Sequence, residues 1–203
     1  YFHCARAAAR AELWDVSERR QTVSIDSPSM FIDLSSFLLL KTTNKRGGLE
    51  LSPRGDAVGF VQHLDERSLF IPERPGNKIA VSLRNILVCQ EIELLMIIPG
   101  CEQVMHVRGH ASLSVQPKLL QQSAVKGKVP KIGILIEKCV FSISTPTALI
   151  KASVWALSKQ TKKEALTSFP KALSAHMHGQ GLLGRASAPL IKAVVNHDMK
   201  NLY

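Results

Sequence analysis

With 203 residues, the chain has room for one domain with a sizeable core plus appendages. A hydrophobic share of 45% and a charged share of 21% exclude disorder over the whole length. The formal charge of +10 calls for an anionic partner; with aromatics at only 5% and no dense basic face, a base-stacking platform is excluded and nucleic acid is not the expected partner.

In chain order, residues 3–14 predict an Ala-rich amphipathic helix, since Ala and Arg are strong helix formers. Residues 15–28 are polar and predict a linker or cap. A dense β region follows. Phe37 to Thr43 is a strand, Asn44-Lys45-Arg46-Gly47-Gly48 a hairpin turn, and Leu49 to Leu51 the start of the return strand. Val58 to Leu64 and Ser68 to Ile71 form a second pair turned by Asp65-Glu66-Arg67. Residues 78–88 predict a short helix, and Glu91 to Ile98 a buried strand. Gln103 to Val115 alternates at period two, with Gly109 marking a bulge. A short helix over 117–125 and a strand from Lys131 to Phe141 follow, then helices over 146–157, 168–179 and 187–201. Strands separated by tight turns, with few long helices, predict a mainly β, α+β antiparallel barrel rather than a doubly wound sheet. The division expected is an N-terminal helix and linker over 1–29, a barrel over 30–155 and a helical extension over 156–203.

Of the four cysteines, none sits at a C-x-x-C spacing; Cys89 and Cys139 lie in apolar runs and read as small core hydrophobes. No disulfide framework is indicated, which predicts a reducing compartment, the cytoplasm. No apolar run reaches the roughly 18 residues of a membrane span, so no membrane partner is expected. The histidines make no zinc pattern and no metal is expected; His106 and His110 share a strand face, read as a polar barrel face with a metal pair as the alternative.

The richest stretch holds two basic, glycine-containing turns about 20 residues apart, Ser52-Pro53-Arg54-Gly55-Asp56 and Ile71-Pro72-Glu73-Arg74-Pro75-Gly76-Asn77-Lys78. The second opens the helix that begins Ser82-Leu83-Arg84-Asn85-Ile86. Strand-end cations beside free amides at a helix start make a phosphate site. Arg54 offers a bidentate fork, and Arg74, Asn77 and Lys78 form the phosphate loop proper, with Ser82 in the following turn. Two alternatives stand beside this. Arg54 can instead brace its own turn through Asp56, and Asn77 can be an ordinary helix cap.

These three runs resemble the pyridoxamine 5'-phosphate oxidase-like proteins, in particular a bacterial FMN-binding branch, over about residues 30–203. The resemblance implies a split β-barrel, FMN as cofactor, a homodimer with flavin at the interface and a small-molecule substrate. It implies cofactor contacts at Ser52, Arg54, Ile71, Arg74, Asn77, Lys78 and Ser82. The sequence departs from the family where Val81 stands for the usual Asp, where Val104 stands for a polar residue, and where Ser144-Thr145 stand for His-Cys. Residues 3–14 echo 144–155 without gaps and keep His3-Cys4, as the tail of a preceding tandem copy would; the alternative is a chance likeness between two Ala-rich helices. No side chain is a compelling catalytic acid or base. The reading is therefore an FMN-dependent oxidoreductase of unknown substrate, or else a non-catalytic split-barrel module with a degenerate flavin site.

Overall fold

The computed structural model describes residues 25, 27–74, 80–156, 189, 193 and 194. The helices expected over 3–14 and 168–179 lie outside the described residues, as does nearly all of 187–201. The described elements are α1 (Pro28–Leu34), β1 (Phe37–Thr43), β2 (Leu49–Gly55), β3 (Gln62–Asp65), β4 (Ser68–Pro72), α2 (Val81–Ile86), β5 (Glu91–Ile97), β6 (Val104–Ser114), α3 (Pro117–Gln122), β7 (Gly133–Ser144) and α4 (Thr147–Ala152). The strands form one antiparallel sheet in the order β2-β1-β5-β6-β7-β4-β3. β2 and β3 are its two edges and do not pair with each other, so this is an antiparallel split barrel of the α+β class.

Alternation along the strands sets the two faces. Leu38 and Leu40 of β1, Leu94 and Met96 of β5, Met105 and Val107 of β6, and Ile134 and Ile136 of β7 are fully buried on the inward face. Phe31 and Ile32 of α1 and Ile86 of α2 join the same core. In α2, Ser82, Asn85 and Ile86 share one buried face at helical spacing. Asn85 donates from Nδ2 to Thr42 Oγ1 at 3.0 Å in the interior. β4 is buried on both sides: Leu69 and Ile71 face the core, while Phe70 packs with Leu119 and Leu120 of α3. Gly133 makes this possible, because a Cβ there would lie 2.1 Å from the Phe70 ring.

Several expectations meet the structure directly. The hairpin turn over 44–48 forms, with Asn44 Oδ1 accepting from the amides of Arg46 and Gly48. The bulge falls at Gly109, where the β6–β7 register shifts between Arg108 and His110. Others are corrected. Ser52-Pro53-Arg54-Gly55 is strand, not turn; Pro53 is tolerated because β2 is an edge strand and pairs with β1 alone. The strand expected from Val58 starts only at Gln62, because Gly59 takes φ +79° in a turn closed by the Phe60 amide on the Ala57 carbonyl. α1 was missed; a proline at its first turn and its buried Phe31–Ile32 pair account for it. Cys139 is buried as expected, its thiol pushed up to about 11 mainly by burial. Cys89 instead sits half-buried after α2.

Near the end of the barrel, α4 stops at Ser153, which takes φ +49°, and Trp155 donates from Nε1 to the Cys101 carbonyl at 2.7 Å. That bond fastens the segment after β7 to the β5–β6 turn. Among the described residues no helix is long and apolar enough to cross a membrane.

Two tests follow from this packing. Asn85→Ala strands the Thr42 hydroxyl in the core and should cost about 1–3 kcal/mol, read as a lower urea midpoint at unchanged m-value; an unchanged midpoint would refute the role of the pair. Lys41 of β1 donates to Glu93 of β5 at 2.7 Å and holds that carboxyl below its ordinary 4.5. A depressed carboxyl stabilises above its unfolded pKa, and the contribution is lost as pH falls through the folded value. Acidification from about pH 7 to about pH 3 should therefore narrow the Tm gap between wild type and Lys41→Met; a gap that stays constant refutes the assignment.

Candidate functional site

β2 ends and β4 ends at one corner of the split barrel, although the two strands stand far apart in the strand order. Ser52 and Arg54 lie opposite Leu40 and Leu38 in the register, so both belong to the inward side of β2. From there the Arg54 guanidinium reaches across the split, and its Nη1 donates to both carboxylate oxygens of Glu73 at 2.6 Å. In the opposite sense, Arg74 donates from Nε to Asp56 Oδ2 at 2.7 Å. Each segment thus supplies one cation and one anion to the other: 54 binds 73, and 74 binds 56. The four side chains are 10–22% exposed, so the pairs are largely removed from solvent screening.

The corner is braced further. The Asp56 amide donates to the Ser36 carbonyl, and Asp56 Oδ1 accepts from the Ala57 amide. The Glu73 amide donates to the Ile132 carbonyl. Arg74 also donates from Nη1 to the Ser123 carbonyl at 2.7 Å, just past α3. Gln62 donates to the Ser123 hydroxyl at 2.6 Å and to the Leu119 carbonyl at 3.1 Å. Arg74 therefore links three separate segments, and cation placement at the carbonyl end of α3 suits that helix.

Of the predicted site residues, Arg54 and Arg74 are brought to this one corner, with Ser52 nearby on β2. Ile71 is 2% exposed with its side chain in the core, and its backbone lies opposite Ile134 in the β4–β7 ladder. Ser82 is buried at the start of α2. Asn77 and Lys78 lie outside the described residues. The alternative partner for Arg54, Asp56, is replaced by Glu73, and Asp56 serves Arg74 instead. Sequence reasoning missed Glu73, Ser123 and Gln62. A signal existed in the order of charges, plus-then-minus at 54/56 and minus-then-plus at 73/74, which complement each other when the two segments lie side by side in the same sense.

The corner formally carries two positive and two negative charges. Among the described residues one donor is left over: Arg54 Nε is buried and has no hydrogen-bond partner there. Leaving such a donor dry costs about 1–3 kcal/mol, which an incoming acceptor would recover. α2 is six residues long with no side-chain cap, so its dipole adds little. The described residues thus fit an oxyanion through one aimed N–H rather than through free positive charge. No group of three His, Cys, Asp or Glu able to hold a metal occurs among the described residues.

Solved structures similar in chain path include HupZ of Group A Streptococcus, at 14% identity over 59% of this chain and 94% of that one, TM-score 0.48. The heme storage protein HutZ of Vibrio cholerae aligns at 13% identity over 58% and 90%, TM-score 0.41. A pyridoxamine 5'-phosphate oxidase-related, FMN binding protein of Nostoc punctiforme aligns at 13% identity over 53% and 73%, TM-score 0.38. At these identities and scores the likeness concerns the fold, and the ligand of this chain rests on its own residues. No family model and no curated protein matches the sequence.

If the crossed pairs hold the split together, Arg54→Met, Glu73→Leu and their combination should show a coupling energy of about 1–3 kcal/mol in a double-mutant cycle by urea unfolding. Additive costs would show that each side chain acts alone.

Proposed function

We propose that this chain is an FMN-binding split-barrel flavoprotein, with the nucleotide phosphate at the corner between β2 and the segment after β4. The observation that carries the reading is the buried, unpartnered Nε–H of Arg54. In this reading Arg54 supplies that donor while Glu73 keeps its guanidinium oriented. Arg74 shapes the corner through Asp56 and Ser123, and Asn77 and Lys78, on sequence grounds, supply the remaining donors and charge. Flavin, when bound, supplies hydride chemistry, and the protein supplies position and electrostatics. No described side chain is required as acid or base, so an oxidoreductase of a small organic substrate is the matching activity. A homodimer belongs to the same proposal. Phe37, Leu39, Leu95 and Ile97 line up across β1 and β5 on the outward face and are the apolar side a second copy would cover.

A second reading rests on the crossed pairs themselves. Glu73 and Asp56 already answer both arginines, as in a structural module whose corner needs no ligand.

Absorption of the purified protein with added FMN separates the two. Flavin bands that co-elute with the protein, bleach with reductant and return in air support the flavoprotein; a protein that takes up no FMN supports the structural module. Arg54→Lys keeps a cation for Glu73 but removes the Nε–H, so FMN affinity should fall about tenfold with the fold retained. Equal FMN affinity in the variant would refute the role given to that donor.

A further inference from the structure

The outward face of the sheet carries a second polar assembly, well separated from the seam by the strand register. Lys41, Glu93 and Arg108 stand in one cross-strand row over β1, β5 and β6, and Val140 of β7 continues it. Glu91 and His110 are directly opposite each other in the next row. Together with Lys138 they enclose an open hollow of about 340 Å³, a volume in the small-molecule range. Ser52 and Arg54 belong to the inward side, so this hollow and the seam occupy opposite faces of one sheet.

Its shape comes from a fault in the ladder. Arg108 pairs with Val140, yet His110 pairs with Glu137, which sets Lys138 and Cys139 of β7 against Gly109 alone, one extra residue on β7. Lys138 takes φ +55°, the left-handed region that disfavours a lysine. The bulge is held in place from two sides. The Cys139 amide donates to the Arg67 carbonyl at 2.9 Å rather than to β6. Across the ladder, Gly109 admits no Cβ, which would lie 2.7 Å from Ile136 Cγ2 and 2.9 Å from the Glu137 carbonyl oxygen. Strain kept in this way is characteristic of ligand contacts, and here it presents a cation to the hollow.

The charges select the ligand. Lys41 is taken by Glu93 at 2.7 Å, and His106 lies 3.6 Å from the same carboxylate. Arg108, whose charge already acts on Glu93 across the β5–β6 row, and Lys138 remain without a direct ion pair among the described residues, both exposed, against Glu91. A carboxylate's two oxygens are filled by the guanidinium fork alone; a phosphate group offers three acceptor oxygens, enough for a planar fork and a point charge side by side. We propose that this hollow binds a small phosphorylated molecule through Arg108 and Lys138, independently of the corner at the seam.

Inorganic pyrophosphate is the probe, titrated into the whole chain by calorimetry. Wild type should bind, and Arg108→Gln and Lys138→Gly should each weaken binding about tenfold. Glycine relieves the left-handed strain, so Lys138→Gly should hold or raise Tm, and its loss of binding cannot then be ascribed to misfolding. Lys118→Gln, exposed on α3 and outside the lining of the hollow, serves as the charge control and should leave this affinity unchanged. Three results would overturn the proposal: no binding to wild type, affinity in both hollow variants within about twofold of wild type, or an equal loss in Lys118→Gln.

Discussion

A split barrel has a seam where backbone hydrogen bonds stop, and something else must hold its lips together. In this chain that task falls to two crossed ion pairs, Arg54 with Glu73 and Arg74 with Asp56. β2 and β4 have β1, β5, β6 and β7 between them in the sheet, so no ladder joins them. Exposed pairs contribute about 0–1 kcal/mol, whereas breaking a buried one costs about 3–5 kcal/mol. Pairs that are 78–90% removed from solvent fall between these limits. The crossing also gives direction: a slide of one lip along the other breaks both contacts together, so the pairs fix register as well as distance.

This arrangement changes what the arginines mean. Two guanidiniums on a strand end and loop suggest surplus positive charge, but the surplus vanishes once Glu73 and Asp56 are placed. What survives is directional, a single buried N–H on Arg54. A phosphate attracted by charge alone would gain little at a neutral corner. One accepting a hydrogen bond from a buried donor recovers the cost of leaving that donor unsatisfied. Specificity at the seam is thus a matter of geometry.

The strand β6 was legible because period-two alternation over eleven residues leaves one choice of face, β1 and β5 because their apolar runs are of strand length, and Gly109 announced the bulge. Legibility failed where the decisive partner is distant in sequence. Ser52 to Gly55 reads as a turn from its Pro and Gly, and only its place at the sheet edge, paired to β1 alone, makes it strand. Arg54 sits two residues from Asp56 in sequence, yet on a strand the curl of the whole sheet delivers it to Glu73, 19 residues on. Local charge order constrained the set of possible pairs; closure of the barrel chose among them.

The two faces of the sheet divide the work by a common device. On the inward side, tight ion pairing leaves one donor unsatisfied; on the outward side, a forced bulge leaves Lys138 strained and Arg108 without a full counter-charge. In both places a local rule is broken while the surroundings keep it broken: Glu73 by gripping the far end of the Arg54 guanidinium, Gly109 and the Arg67 carbonyl by pinning the bulge. A relaxed fold would satisfy the donor or place glycine at 138. That these costs sit at rims and hollows, and not among Leu38, Leu94 and Met105, separates residues that hold the barrel from residues free to meet a ligand. The core can absorb neither fault, because an unpaired donor or a left-handed lysine among close-packed side chains would open a void with nothing to fill it.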